Sequence, residues 1–337
     1  MHTRPLGTSD LTVSELALGS WLTFEGGVQE EQATACVRAA HEAGITFFDT
    51  ANAYGRGAAE SFLGRALRPF PRDSYVLATK VFMPMGDDHP GGLSAPEVTR
   101  QLDASLRRLG TDHVDLYQCH RFDPDVPIEE TAEALQAAVL AGKVRALGFS
   151  EWLPDQIEAG VAALAPLRFA SSQVQYNLLW RGPEQEVFPL CARHGISQVL
   201  WSPLAQGVLT GKYLPRSAPP AGSRGADPVM SGPLKGGEFR FLQDDVLTAV
   251  QRLVPLAQSL GATPAQLALA WVLRRGEVAS AIIGASRPEQ VAQNVAATEV
   301  ALSEGDLQAI DDALGSAPEF LPQPVYMQRP GILHRSR

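Results

Sequence analysis

The chain is predicted to fold as a (β/α)8 barrel of the TIM type, and three observations lead there. Short apolar runs with strand character alternate with amphipathic helical segments from start to finish, the pattern of a parallel α/β sheet. The runs number eight, the count that closes such a sheet. Polar residues (Asp49, Lys80 and His120) stand at the carboxyl ends of successive runs, where this kind of barrel keeps its chemistry. The alternative, an open doubly wound sheet, lacks its G-x-G-x-x-G fingerprint, for Gly19-Ser20-Trp21 follows the first strand instead. With no Gly/Ser linker and no shift in composition, residues 1–337 read as one domain.

The first strand is expected over Glu15 to Gly19, and the first helix over Glu30 to Ala43, stopped by Gly44. Strand two, Ile45 to Phe48, ends at Asp49, and a helix covers Gly57 to Leu67. Strand three, Tyr75 to Thr79, ends at Lys80; a loop over Met83 to Gly92 follows. Ser94 with Pro96 in the first turn predicts an N-cap, and that helix runs to Leu109 before Gly110. Strand four, Val114 to Cys119, ends at His120, followed by a helix from Ile128 to Ala141 and Gly142. Strand five is Val144 to Phe149, ending at Ser150, with its helix over Pro154 to Leu164. Strand six is Ser172 to Gln175, and a helix is expected from Pro183 to His194. Strand seven, Ile196 to Trp201, opens into a Gly-, Pro- and Ser-rich segment to about Phe239, too long for a routine connection. Helices over Asp244 to Gly261 and Pro264 to Arg275 precede strand eight, Ser280 to Ile283, and its helix, Pro288 to Ala297. An extra helix, Ser303 to Leu314, and a Pro-rich tail are left over.

Hydrophobic residues at 45% and charged residues at 19% are an ordinary globular mix. A net charge of -9 argues against a nucleic-acid backbone or an anionic membrane as partner, while a local basic pocket for one phosphorylated ligand stays compatible with it. Cys36, Cys119 and Cys191 give no disulfide framework and suit reduced thiols. Met1 to Gly7 lacks the apolar stretch of a signal peptide, and no apolar run is long enough to cross a bilayer, so the cytoplasm is expected. No metal-ligand cluster stands out among the seven histidines and three cysteines, and no metal is expected.

Tyr54 lies just beyond strand two. A phenol titrates near 10 and is a poor acid unless its anion is stabilised. An ammonium favours the phenolate, so Lys80 beside it would lower that value, with Asp49 holding Lys80 charged and oriented. His120 would add a hydrogen bond to a substrate oxygen. Such a site suits a carbonyl oxygen that gains negative charge, and it needs an electron source. Taken singly, Asp49 reads as a cap or solvated loop carboxylate, Lys80 as a surface or Schiff-base lysine, and His120 as a core histidine. At the ends of consecutive strands the joint catalytic reading is the better one.

Several ordered stretches carry a resemblance: Arg4-Pro5-Leu6-Gly7, Leu18-Gly19-Ser20-Trp21, Phe48-Asp49-Thr50-Ala51-Asn52-Ala53-Tyr54-Gly55 and Thr79-Lys80. Asp115 to Arg121, Gly148-Phe149-Ser150, Gln173 to Asn177, Trp201-Ser202-Pro203-Leu204 and Ile283 to Ser286 extend it. From about Arg4 to Leu314 the chain resembles the aldo-keto reductases, most closely the branch of potassium-channel β-subunits and their bacterial enzyme relatives. The resemblance implies NADPH or NADP+ extended across the barrel mouth and a small aldehyde or ketone as substrate. Tyr54 would be the general acid, tuned by Lys80 and Asp49, with His120 orienting the carbonyl. Gly19 and Ser20 would border the cofactor, and Trp21 would sit where cofactor and substrate meet. Ser150 and Gln173 would hold the nicotinamide carboxamide, and Trp201 would stack on the ring. Ser202, Pro203, Leu204, Gln206 and Gly207 would follow the diphosphate; Lys212 and Arg224, with Arg287 as a second candidate, would meet the 2′-phosphate. Gly284 and Ser286 resemble phosphate contacts at a helix N-terminus, and Gln290 and Asn294 would reach the adenine. Phe82 and Trp152 are candidate pocket walls, with packing in the core an equal alternative for both.

Two positions depart from the family pattern. Glu151 stands where relatives carry Asn or Arg, adding negative charge near the cofactor with a carboxylate able to accept from the carboxamide. Gln293 replaces a frequent Glu, with little consequence expected. A rival reading is a regulatory subunit that senses nicotinamide redox state. His120, where that subunit type tends to carry Asn, and the lack of a long extension before Arg4 weigh against it. A Schiff-base aldolase using Lys80 is a third reading, which Tyr54 and the NADP-like loop oppose. Homo-oligomers fit the family, whose members include monomers and ring-like tetramers or octamers.

Overall fold

The computed structural model describes residues 1–21, 29–86, 90–227, 231 and 240–318. Part of the loop Met83 to Gly92, part of the segment after strand seven, and the tail beyond 318 therefore lie outside the described residues. Eight parallel strands close into a barrel: β3 (Leu16–Gly19), β4 (Phe47–Asp49), β5 (Val76–Val81), β6 (Val114–Cys119), β7 (Val144–Ser150), β8 (Phe169–Gln175), β9 (Ser197–Trp201) and β10 (Val278–Ile283). Each pairs with its sequence neighbour, and β10 pairs with both β9 and β3 to complete the ring. The helices outside it are α1 (Glu30–Glu42), α2 (Ala58–Leu67), α3 (Ala95–Leu109), α4 (Ile128–Leu140), α5 (Pro154–Leu164), α6 (Val187–Arg193), α7 (Asp244–Ser259), α8 (Pro264–Leu273), α9 (Pro288–Val295) and α10 (Glu304–Leu314). The predicted barrel is thus the observed one.

Side chains alternate across each strand, so the sheet builds two cores. Outward residues such as Leu18, Phe48, Tyr117 and Phe149 pack under the helices. Inward residues near the amino ends (Ala17, Phe47, Val76, Leu116, Ala146 and Val199) form a second cluster. Leu6, Leu11 and Val13 complete that cluster from an antiparallel hairpin, β1 (Thr3–Pro5) and β2 (Thr12–Ser14), which caps the barrel floor. The Arg4 guanidinium fastens the hairpin by donating to the carbonyls of Leu273, Arg275 and Val278 and by pairing with Glu15.

The sequence reading missed this hairpin and extended the first barrel strand back to Glu15. Two other expectations are corrected. Ser94 makes no side-chain cap; the Glu130 carboxylate accepts from Ala95 N instead, at 2.8 Å. The helix expected from Pro183 to His194 divides into a short turn, Gly182–Glu184, and α6. Pro189 lacks an N–H and is best tolerated in a first helical turn, which suits a helix that starts at Val187.

α2 meets α3 closely at Gly64, where an added Cβ would run into the Leu109 carbonyl. Gly64→Ala is expected to cost roughly 1–3 kcal/mol of folding stability by overpacking, read from urea unfolding. An unchanged midpoint would mean that the two helices have room to separate.

Candidate active site

Asp49 ends β4, Lys80 lies within β5, and His120 follows β6, so three adjacent strands aim them at one rim. Tyr54 stands on a short turn, Tyr54–Gly57, in which Gly55, Arg56 and Gly57 all take left-handed φ values of 56°, 51° and 91°. That reversal of the chain folds the phenol back over the strand ends. The Lys80 ammonium, 0% exposed, sits at the centre. It donates to Asp49 Oδ2 at 2.6 Å, to the Thr50 carbonyl at 2.8 Å and to the Tyr54 hydroxyl at 3.3 Å. The Tyr54 and His120 rings meet edge-on with centroids 5.7 Å apart.

Beneath Lys80, Asp49 Oδ1 accepts from Gln173 Nε2 at 3.0 Å and from Gln118 Nε2 at 3.4 Å. Sequence reasoning missed Gln118, although strand alternation places it two residues before His120 on the same face. Thr50 was also missed as a partner: its carbonyl serves Lys80, and its hydroxyl accepts from Ser20 at 2.8 Å. Gly19 is needed beside Asp49, because a Cβ there would lie 2.5 Å from Ile282.

The electrostatics correct one expectation. Burial pushes the Tyr54 phenol above its ordinary value more strongly than the Lys80 ammonium pulls it down, and the Asp49 carboxylate adds to the rise. The hydroxyl is therefore firmly protonated at neutral pH. For Lys80, burial opposes the charge, but the Asp49 carboxylate and Tyr54 together hold it above its usual value. Burial, with Arg121 and Lys80 nearby, depresses His120 well below the usual imidazole value, so the ring is neutral.

The far side of the same rim is formed by Ser150 and Trp201, the last residues of β7 and β9, with Gln173 just inside the end of β8. Arg121 donates toward Ser150 Oγ at 3.4 Å. Glu151 is engaged within the protein: its Oε1 accepts from Gln175 N and from Trp201 Nε1, each at 2.6 Å. Trp21, 44% exposed, has its ring centroid 6.5 Å from that of Tyr54, and the Arg224 guanidinium lies 5.5 Å from the Trp21 ring centroid. Arg224 thus stands over the mouth. Phe82 follows β5 and is partly buried against the core. Trp152 is not a pocket wall. It is fully buried between barrel and helices, against Phe149, Phe122 and Phe169.

After β9 the backbone is strained: Ser202, Ala205 and Gln206 have φ of 55°, 48° and 58°, and Gly207 follows at 93°. Left-handed non-glycine residues cost energy and collect where backbone groups must meet a ligand. Pro203 is buried, Leu204 is partly buried, and Lys212 is exposed, its Nζ 3.2 Å from where a Cβ on Gly207 would stand. Gly284, Ser286, Arg287 and Gln293 are exposed and Asn294 is buried. Gln290, expected to reach the adenine, here caps α9: its Oε1 accepts from Ser286 N at 2.8 Å and Arg287 N at 3.3 Å. The unsatisfied N–H groups of a helix start compete for that oxygen.

Among the described residues, no group of three His, Cys, Asp or Glu could hold a metal ion, and no helix is long and apolar enough to cross a membrane.

A model of the aldo/keto reductase family matches residues 15–314, a span holding all eight barrel strands and the site just described. The chain belongs to this family. Its members are nicotinamide-dependent oxidoreductases acting on small molecules. Among its relatives, a Schizosaccharomyces pombe protein named "Putative voltage-gated potassium channel subunit beta" is 39% identical over 94% of this chain and 94% of its own length. An Arabidopsis thaliana protein named "Probable voltage-gated potassium channel subunit beta" is 38% identical over 95% of this aldo/keto reductase and 98% of its own length. "Probable aldo-keto reductase 1" of Glycine max is 37% identical over 92% and 88%.

Proposed function

We propose that this chain is an NADPH-dependent reductase that converts small aldehydes or ketones to alcohols, acting in the cytoplasm as one domain. The observation that carries the reading is the Lys80 ammonium bonded to both Asp49 and Tyr54 at the barrel rim, within 3.3 Å of the phenol oxygen. Polar atoms at the same end suit a flat ring bearing an amide. His120 Nδ1 and both ends of the Gln175 carboxamide are buried without a hydrogen-bond partner among the described residues. A bound reduced nicotinamide supplies a hydride to the carbonyl carbon. Tyr54 gives its proton to the carbonyl oxygen as charge develops there, and Lys80 stabilises the phenolate left behind. Neutral His120 donates a hydrogen bond to that oxygen and fixes its direction. Ser150, Gln173 and Trp201 would hold the nicotinamide end, the strained Ser202 to Gly207 backbone the diphosphate, and Lys212, Arg224 and Arg287 the 2′-phosphate. Gly284 and Ser286 would border the phosphates, and Asn294, with Gln290 if its cap releases, the adenine.

The test is NADPH oxidation with a panel of small aldehydes across a pH series. Tyr54 and Lys80, both held above their ordinary values, keep their protons through neutrality, and His120 stays neutral to well below pH 6.5. Reduction is therefore expected to be level across neutral pH and to fall only above about pH 10, as the phenol ionises. No turnover with any aldehyde despite bound cofactor defeats the reading, and a fall near pH 7 removes Tyr54 as the acid. The second reading, a regulatory subunit that senses nicotinamide redox state, draws on the names of the relatives. It predicts cofactor binding without turnover and a stoichiometric membrane partner in a pull-down.

A further inference from the structure

Glu151 follows Ser150 at the end of β7, and no step of the proposed reaction uses it. Its backbone is left-handed at φ 58°, a conformation that non-glycine residues seldom adopt, and its N–H donates to the Gln173 carbonyl at 3.2 Å. The turn carries the carboxylate under the rim, where Glu151 is only 4% exposed. There a single oxygen accepts from Gln175 N on β8 and from the Trp201 indole N–H on β9, both at 2.6 Å. One side chain thus joins the ends of three neighbouring strands. A buried charge disfavours this arrangement, and an apolar residue that merely packed would avoid that cost. What the carboxylate provides is direction. An indole has one donor, and a short charge-assisted bond at Nε1 fixes the plane of a ring otherwise free to turn about its two side-chain torsions. Trp201 is partly exposed at the rim, and Gln175, whose carboxamide is buried without a partner among the described residues, stands beside it in register. Burial pushes the Glu151 carboxyl upward, while Arg121 and these two donors favour its ionised form.

We propose that Glu151 is a positioning residue for the nicotinamide subsite, holding the Trp201 indole at one angle and locking the β8 and β9 rims together so that the ring offers a fixed face to the flat end of the cofactor. This rests on the reductase reading. It predicts that loss of the bond weakens binding of the nicotinamide half alone.

The experiment is calorimetric titration of the full chain with NADP+ and with 2′,5′-ADP, which lacks the nicotinamide. Glu151→Ala is expected to lower NADP+ affinity by about tenfold or more, the scale of a hydrogen bond to a charged group, with 2′,5′-ADP within about twofold of wild type. Glu151→Gln keeps a carbonyl oxygen in place and should stay within about threefold for both ligands, because the acceptor is retained. The indole N–H of Trp201 should exchange with solvent faster in Glu151→Ala than in wild type or Glu151→Gln, a readout that needs no ligand. In a Trp201→Phe background, which removes the donor and keeps an aromatic ring, Glu151→Ala should lose its selective effect. Equal losses for both ligands, no loss for either, or a Gln variant as weak as the Ala variant each overturn the proposal. Wild-type protein that fails to bind NADP+ removes the reductase reading and this role with it; normal wild-type binding undiminished in Glu151→Ala removes only the role.

Discussion

Tyr54→Phe is expected to lower turnover by roughly 10²–10⁴-fold, the usual contribution of a positioned proton donor. Cofactor affinity should hardly change. The substitution removes one oxygen and leaves the ring, whose neighbours are Trp21, His120 and the Lys80 ammonium 4.9 Å from its centroid. Steady-state NADPH oxidation and a separate binding titration distinguish the two quantities. Turnover equal to wild type would take the phenol out of the chemistry. Loss of binding in step with turnover would make Tyr54 part of the cofactor cradle.

Lys80→Met acts on both stability and turnover. The ammonium is completely buried, and among the described residues its loss would leave the Asp49 carboxylate with the Gln173 and Gln118 amides. Breaking a buried pair from one side costs about 3–5 kcal/mol, chiefly because the surviving charge is stranded. Urea unfolding should show that loss, and reduction should fail because nothing stabilises the phenolate. Adding Asp49→Asn to Lys80→Met should recover part of the stability, since no ion is then left alone, while turnover stays lost. A single variant as stable as wild type would count against the pair as the organising element of this rim.

The alternation of strands and helices, and the polar residues at strand ends, were legible because a closed parallel sheet imposes both. Asp49, Tyr54, Lys80 and His120 could be named before any coordinates, and the structure brings them within hydrogen-bond or ring contact. What escaped had local causes. β1 and β2 have three residues each, too few to display a period of two. For Trp152 residue type left pocket wall and core packing equally open; the left-handed backbone at Glu151 precedes a side chain packed in the outer layer. Ser94 lost its cap to Glu130, a residue from a neighbouring helix that no local pattern reveals. The direction of the Tyr54 shift depends on burial outweighing a charge at 3.3 Å, a balance that residue types alone do not express.

The hairpin that stoppers the barrel floor separates two demands usually in conflict. Leu6, Leu11 and Val13 seal the end opposite the polar rim, and the Arg4 clamp holds that seal in place. A tether attached on that side would therefore point the open end toward bulk solution, so immobilised protein would keep free access for a diffusing reactant.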